Sequence, residues 1–467
     1  MRKTKIVCTI GPASESKNIM KQMILAGMNV ARFNMSHGTH ESHHKLIETL
    51  KEARSELDVP VAIMIDTKGP EIRIRQFQNG QVVLKKDDGF VLTTRNVLGN
   101  EHGVGVTLSS FNKIVSVGDI ILLNDGLIKL KVDAIHGTDV LCKVLVGGVL
   151  SNNKSINIPG VDLKKKYLSD TDKSDILFGI EEGADIFSIS FVGCKQDVLD
   201  VRQFLKKNGC ENALICSKIE SRKGVMNMDE IIDVSDGIMV ARGDLGVEVE
   251  FEKIPYIQKQ LISKCHKKGK NVITATEMLE SMIHNARPTR AEISDIANAV
   301  IDGTSAVMLS GETSAGLYPV LSVETMSKIA QECESTIDYD KISSFDYSSD
   351  VSTSIGYASC ELAKSLHAKA IVVATNSGFS AKCVSKCRPS CNVIACTPNV
   401  KVYNQMSVYW GICPVMDRTY DNTDDLLESS RHKAQQTKLV KKGDLVVQTG
   451  SVKAGGTGSN LLVVETI

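Results

Sequence analysis

The chain has 467 residues, more than one simple hydrophobic core organises, so two or three domains are expected. Hydrophobic residues make up 42% and charged residues 24%, and 55 Lys+Arg balance 55 Asp+Glu to a formal net charge of zero, which excludes an electrostatic case for nucleic acid or an anionic membrane surface. No apolar run is long enough to span a bilayer, and thirteen scattered Cys without a Cys-x-x-Cys pair suit free thiols in a reducing cytoplasm rather than a disulfide framework.

The opening segment MRKTKIVCTIGP is basic but turns at once into an alternating strand pattern, so no signal peptide is expected. From there a short β-rich run followed by an amphipathic helical stretch repeats along the chain. The strand candidates are Thr4–Ile10, Asn29–Asn34, Val61–Asp66, Asp185–Ser190, Leu214–Ile219, Gly237–Arg242, Asn271–Thr276 and Ser305–Ser310. NIMKQMILAG carries one apolar stripe and a stop at Gly27, and later helices are expected at Asp170–Glu182, Lys195–Lys207, Tyr256–Lys268, Thr289–Ile301 and Pro319–Glu332. Strands alternating with helices imply a parallel sheet, and eight units suggest a closed (β/α)₈ TIM barrel; an open doubly wound sheet also satisfies the spacing.

Between the third and fourth strands the rhythm breaks. Residues 70–166 hold short alternating runs punctuated by DDG and NDG turns, and read as an all-β lid domain inserted in a barrel loop. The barrel domain is then residues 1–69 and 167–338. A Ser/Asp-rich linker opens residues 339–467, where AIVVATNSG, NVIACTP, GICPVM, DLVVQTG and NLLVVETI alternate with helices as a smaller C-terminal α/β domain.

In such barrels reactive groups sit at the carboxyl ends of strands. Those ends carry Arg32, Asn34 and Ser36 (strand two), Asp66 and Thr67 (three), Ser190 (four), Lys218 and Glu220 (five), Arg242 and Asp244 (six), and Thr274 and Thr276 (seven). Lys218 and Glu220, at i and i+2, share a face. Glu220 and Asp244 are hard oxygen ligands suited to Mg²⁺ or Mn²⁺. Arg32, Lys218 and Arg73 are cations for phosphate oxygens. Gly243 lets backbone approach a ligand at a helix start. Asn34, Ser36, Asp66 and Thr67 form an oxygen-rich cluster with little positive charge of its own, able to hold a monovalent cation. The set points to metal-assisted chemistry on a phosphorylated, carboxylated small molecule.

Other motifs take plainer readings. His40, His43 and His44 have no evident carboxylate set beside them and read as a solvated helix face. Cys383, Cys387 and Cys391 lack a fourth zinc ligand. There is no Walker loop, and the Gly-rich GGTGSN (Gly455–Asn460) is a weak anion-binding motif alone.

TKIVCTIGPAS, NVARFNMSHG, DTKGPEIR, SKIE, ARGDLGVE, NIPGVDL and the block TATEMLESMIHNARPTRAEISDIANAVIDGTSAVMLSGET together resemble the pyruvate kinase family over nearly the whole chain. The resemblance implies a barrel, a β lid and a C-terminal α/β domain. It implies phosphoryl transfer from phosphoenolpyruvate to ADP, the last step of glycolysis, with Mg²⁺ (or Mn²⁺) and K⁺. On it, Glu220 and Asp244 bind the divalent ion, and Lys218 stabilises the migrating phosphoryl group and the enolate. Arg32 contacts phosphates, and Asn34, Ser36, Asp66 and Thr67 hold K⁺. Thr276 and the Gly243–Asp244 backbone bind the substrate carboxylate, with Thr276 near the site of enolate protonation. Pro12, Arg32, Asn34, His37, Arg73 and Lys154 meet the nucleotide.

Further implications concern regulation and assembly. Glu71 stands where relatives without a monovalent-ion requirement carry Lys, so K⁺ activation is expected. Glu277 follows Thr276 where Gln is common, with little effect expected. The N-terminal extension of animal members and the extra C-terminal domain of some bacterial ones are expected to be missing. Thr375, Asn376, Ser377, Gly378 and Ser380 resemble the family's effector loop, for a sugar phosphate or nucleotide. Phe379 replaces a frequent Arg, and SVKAGGTGSN is poor in basic residues. A cytoplasmic homotetramer is the family's usual form. Two alternatives remain at this stage: another barrel enzyme acting on a phosphoenol or pyruvyl substrate, which leaves the lid Lys154 and the K⁺ cluster unexplained, and a non-catalytic relative, which would be expected to lack Lys218, Glu220, Asp244 or Thr276.

Overall fold

Eight parallel strands close on themselves: β1 (Lys5–Thr9), β2 (Val30–Asn34), β3 (Ala62–Asp66), β4 (Ile186–Ile189), β5 (Leu214–Ile219), β6 (Gly237–Ala241), β7 (Asn271–Ala275) and β8 (Ala306–Leu309). Each pairs with its neighbour in chain order, and β8 returns to β1 with Ala306 opposite Lys5. The computed structural model describes residues 1–161, 167–339, 350–420, 422–451 and 458–467. Closure, rather than an open sheet, is thereby decided. Much of the expected linker lies at residues 340–349, outside the described residues.

The strands read as apolar runs because both faces are buried. Alternate side chains divide between two cores. Val7, Val30, Met64, Cys216, Met239, Ile273 and Met308 fill the barrel, while Ile6, Cys8, Ala31, Phe33, Ile63, Ile65 and Ile215 pack outward against the helices. The helix Asp170–Glu181 comes close enough to the sheet that a Cβ on Gly179 would stand 2.7 Å from the Phe187 ring. Helix starts follow capping chemistry: Ser16, Thr39, Ser169 and Thr289 each accept a backbone N–H from the first turn. One start differs from expectation. The helix expected from Tyr256 begins at Ile254, because Pro255 sits in the first turn, where its missing N–H costs nothing.

The inserted segment forms a seven-stranded sheet and a two-stranded ribbon around its own apolar cluster. Its strands Ile72–Arg73 and Ser155–Asn157 pair antiparallel, so the ends of the insertion lie together where it leaves the barrel. The C-terminal region is a five-stranded sheet whose last strand, Leu461–Thr466, runs antiparallel to the others.

That C-terminal domain covers the amino-terminal face of the barrel. Val408, Tyr409 and Ile371 share one apolar cluster with the barrel interior. Lys5 Nζ donates to Ile412 O at 2.7 Å, and Gln405 Nε2 donates to Asn212 O at 2.9 Å and Asp185 O at 3.3 Å. The opposite, carboxyl face is left open toward the lid.

Asp185 is buried beside this joint, where its carboxylate accepts the Ile63 N–H at 2.9 Å. Burial pushes its carboxyl up to about 6, against that hydrogen bond and the charge of Arg54. The native state therefore keeps a proton that the unfolded chain releases near pH 4. Stability from this group is present below about pH 4 and lost as pH rises through about 6. Asp185→Asn is expected to raise unfolding stability at pH 7.5 by ~1–3 kcal/mol and to change it little at pH 4. Denaturant titration of both proteins at the two pH values checks this; a variant destabilised equally at both would contradict it.

Candidate active site

Strand adjacency brings together groups far apart in sequence. Asp66 ends β3 fully buried, beside Arg32 on β2. Arg32 Nε donates to Asp66 Oδ2 at 2.5 Å and its Nη1 to Thr9 Oγ1 at 2.9 Å. Lys218, on β5, donates from Nζ to Asp66 Oδ1 at 3.1 Å and to Ser190 Oγ at 2.8 Å. Ser190 donates in turn to the Thr67 carbonyl at 2.6 Å. Burial alone would raise the Asp66 carboxyl, but Arg32 and Lys218 more than offset it and hold it low. Burial would likewise lower Lys218; Asp66 and Glu220 reverse this and hold the ammonium above its ordinary value.

Glu220 lies just past β5 and is wholly buried. Its Oε2 accepts the Phe191 N–H at 2.6 Å. Its Oε1 stands 3.0 Å from Lys218 Nζ, yet makes no hydrogen bond. A buried carboxylate oxygen without a donor is costly unless a cation meets it. Burial pushes the Glu220 carboxyl up to about 8, with Asp244 and Asp66 adding to the push and Lys218 opposing it. Asp244 opens the helix Arg242–Glu248 after β6. Two hard carboxylates, one with an unmet lone pair, fit a divalent cation such as Mg²⁺ or Mn²⁺.

At the end of β7 the backbone is unusual. Thr276 and Glu277 both have positive φ, 64° and 53°, a strained region for residues with side chains. Arg242 secures the segment: it donates to Ala275 O at 3.1 Å and Thr276 O at 2.5 Å, and pairs with Asp295 at 2.7 Å. Thr276 Oγ1 donates to Ala275 O at 2.6 Å and accepts the Gly243 N–H at 2.9 Å. The Gly243 N–H, expected as a free donor for a ligand, is therefore taken by Thr276. The strain and the Arg242 clamp had no sequence signature, since a φ angle leaves no residue pattern at Thr or Glu.

The lid supplies Arg73 and Lys154. Ser155 is the register partner of Arg73, which sets Lys154 beside it. Arg73 pairs with Glu71 at 2.8 Å and donates to Asn153 O at 2.8 Å. His37 is held below its ordinary value by partial desolvation and by the charges of Arg73 and Arg32. Pro12 begins a short turn of 3₁₀ helix after β1. A cavity of about 370 Å³, lined by residues including Glu71, Asn157, Tyr167, Phe191 and Ser221, separates lid from barrel beside this mouth.

The chain matches the family described as "Pyruvate kinase, barrel domain" over residues 1–323 and that described as "Pyruvate kinase, alpha/beta domain" over residues 353–465. The chain belongs to the pyruvate kinase family. It is 45% identical to the pyruvate kinase of Clostridium acetobutylicum over 472 aligned residues, covering all of both chains. It is 46% identical to that of Staphylococcus haemolyticus, covering 98% of this chain and 79% of that one. It is 45% identical to that of Sporosarcina psychrophila, covering 100% and 81%. As a pyruvate kinase family member the protein is a phosphotransferase.

Within this pyruvate kinase fold, three sequence readings change. Asn34 and Asp66 are register partners, and Asn34 Oδ1 accepts the Ser36 N–H at 3.1 Å, which brings three of the four positions of the expected oxygen cluster together. It is not poor in positive charge, however: Arg32 and Lys218 both bond Asp66. His40 and His44 keep exposed side chains, as a solvated helix face would, but carboxylates do stand beside the histidines. His40 pairs with Asp175 at 2.7 Å and His44 with Glu182 at 2.6 Å, while His43 is buried and bonds the His37 carbonyl at 2.7 Å. His44, Glu48 and Glu182 bring three possible ligand atoms together, but Lys51 already bonds both glutamates. The Gly243 N–H is the third, as above.

The residues expected to form an effector loop follow the strand Ala370–Ala374. Gly378 has φ 79° and donates to Thr375 Oγ1 at 3.0 Å, and the helix Phe379–Lys386 follows, with Ser380 buried in its first turn. Asn376 and Ser377 complete the turn, where Ser377 Oγ accepts the Phe379 N–H at 3.4 Å. Residues 452–457, most of SVKAGGTGSN, lie outside the described residues.

Glu220 must lose its proton to hold a cation, so protons compete with metal below about pH 8. Mn²⁺ affinity of the substrate-free protein, followed by electron paramagnetic resonance, is expected to climb between about pH 6 and 8 and then level. Glu220→Gln is expected to abolish the climb. A flat profile in the parent protein would contradict it.

Proposed function

We propose that the chain transfers the phosphoryl group of phosphoenolpyruvate to ADP, giving pyruvate and ATP, with Mg²⁺ or Mn²⁺ and K⁺ required. The observation that carries this reading is the buried Lys218 ammonium fixed between Asp66, Ser190 and Glu220 at the barrel mouth. Phosphoryl transfer needs positioning and charge neutralisation more than covalent chemistry. Lys218 presents a fixed positive charge to the migrating group and to the enolate oxygen. Arg32, held by Asp66, meets phosphate oxygens. Glu220 and Asp244 hold the divalent ion, which when bound neutralises phosphate and enolate charge. The Thr276 hydroxyl, exchanging its Ala275 and Gly243 partners, contacts the substrate carboxylate and stands near the carbon that is protonated. Arg73 and Lys154 follow the nucleotide phosphates as the lid closes, with Pro12, Asn34 and His37 on the barrel side.

Asn34, Ser36, Asp66 and the Thr67 carbonyl form an all-oxygen donor set that fits K⁺. Asn34 Oδ1 accepts the Ser36 N–H and Thr67 O the Ser190 hydroxyl, and an sp² oxygen has a second lone pair to offer. The Thr375–Ser380 loop (Thr375, Asn376, Ser377, Gly378 and Ser380) is proposed as a phosphate seat for an allosteric effector, in a C-terminal domain spanning residues 339–467. Assembly as a homotetramer and a place as the last step of glycolysis in the cytoplasm complete the proposal. Among the described residues no helix is long and apolar enough to cross a membrane.

A coupled assay with phosphoenolpyruvate, ADP, Mg²⁺ and K⁺ tests the reaction. Lys218→Met is expected to lower kcat by about 10²–10³ with a much smaller change in KM, the scale of one preorganised electrostatic group. Near-normal turnover in that variant would remove Lys218 from the chemistry. In buffer free of K⁺, Na⁺ and Li⁺, adding KCl is expected to raise the rate, and Glu71→Lys is expected to weaken that response. Equal rates with and without KCl in the parent protein would overturn the monovalent-ion requirement.

A further inference from the structure

Gly69 precedes the first strand of the inserted segment, Ile72–Arg73, and Tyr167 follows its strand Ser155–Asn157 on the return to the barrel. Both residues meet one peptide at the barrel mouth. A Cβ on Gly69 would stand 3.0 Å from the Ser190 carbonyl oxygen, and the Tyr167 hydroxyl donates to that same oxygen at 2.7 Å. The two ends are also tied to each other. The Gly69 N–H donates to Asp172 Oδ1 at 2.9 Å, and Ser169, two residues past Tyr167, donates from Oγ to Asp172 Oδ2 at 2.6 Å.

The Ser190 carbonyl and the Phe191 N–H belong to one peptide unit. That N–H donates to Glu220 Oε2 at 2.6 Å. A hydrogen-bonded chain therefore runs from the Tyr167 hydroxyl, through a single amide, to the Glu220 carboxylate. An amide whose carbonyl accepts a hydrogen bond is polarised and donates more strongly from its N–H, so the two bonds reinforce each other. Phe191 has φ 56°, a costly conformation for a residue with a side chain, and the bonds at the two ends of the amide help to hold it there. Burial, with the charges of Asp197 and Asp172 added, raises the Tyr167 phenol well above its ordinary value, so it keeps its proton and remains a donor.

We propose that Tyr167 is a positioning residue for the divalent-ion site: its hydroxyl fixes the Ser190–Phe191 peptide, and through it the Glu220 carboxylate, at the point where the lid rejoins the barrel. This rests on the reading that Glu220 and Asp244 hold a divalent ion. The Phe191 N–H occupies Oε2 and leaves Oε1, which makes no hydrogen bond, for the cation. Tyr167 touches neither ion nor substrate in this arrangement; it acts by limiting how far the amide rotates. A packing role alone is separable from this one. The Tyr167 ring lines the cavity between lid and barrel together with Phe191 and Met226, and a phenylalanine keeps that wall while losing the hydroxyl.

The test measures Mn²⁺ binding to the full-length, substrate-free protein by electron paramagnetic resonance at one fixed pH. Tyr167→Phe is expected to raise the Mn²⁺ dissociation constant by about 3–10-fold, the scale of one hydrogen bond acting on a ligand's outer partner. Met226→Ala trims an exposed side chain of the same cavity wall and is expected to leave the constant unchanged. In the coupled assay Tyr167→Phe is expected to raise the apparent KM for Mg²⁺ by a similar factor and to keep kcat at saturating Mg²⁺, which also shows that it folds. Glu220→Gln separates the two levels of the argument. A parent protein that binds Mn²⁺ no better than Glu220→Gln would overturn the metal reading and this proposal together. Affinity lost in Glu220→Gln but retained in Tyr167→Phe would overturn the role of Tyr167 alone. So would an equal loss in Met226→Ala, which would make the effect one of packing, or a lowered kcat with an unchanged KM for Mg²⁺, which would move it to Lys218.

Discussion

The Asp66 carboxylate, wholly buried between Arg32 and Lys218, is the interaction on which the site depends. A buried carboxylate is tolerable only with partners, and a buried ammonium equally so. Each keeps the other charged. The three residues come from β3, β2 and β5, and Ser190 follows β4, so the set exists only because the strands stand in chain order around a closed barrel. Closure therefore determines the charge state as well as the shape of the mouth.

The two faces of the barrel are divided accordingly. The amino-terminal face is covered by the C-terminal domain through apolar contacts and backbone carbonyls capped by Lys5 and Gln405. The carboxyl face keeps the ionic groups and faces a lid whose entry and exit strands are paired. With that pairing, Lys154 stands beside Arg73, and the charge of Arg73 helps to hold His37 below its ordinary value.

Much of this was readable from residue order. The eight strands could be found because chains buried on both faces read as apolar runs, and the β5 limits Leu214–Ile219 coincide with the expected ones. The convergence of Lys218, Glu220, Asp244 and Arg32 followed from one rule about strand ends. What could not be read was pairing across distance. Asp175 and Glu182 lie 135 and 138 residues from His40 and His44, so the histidines looked to have no carboxylates beside them. The same limit hid the positive partners, Arg32 and Lys218, of the Asp66 cluster. The positive φ at Thr276 and Glu277 is a tertiary effect, imposed by Arg242 and Asp295 from neighbouring elements.

The balance of charge at the mouth explains why Glu220 is left incomplete. Three carboxylates, Asp66, Glu220 and Asp244, face two cations, Arg32 and Lys218. With Glu220 ionised the protein alone presents a net negative mouth, and with Glu220 protonated, as below about pH 8, a neutral one; neither attracts a phosphate. Lys218 cannot correct this, because its hydrogen bonds go to Asp66 and Ser190 and its approach to Glu220 Oε1 is poorly aligned. A divalent cation on Glu220 and Asp244 would turn the sum positive and supply the partner that Oε1 lacks. The anion would then be attracted only after the metal, so metal and substrate binding would be coupled through one unfilled lone pair.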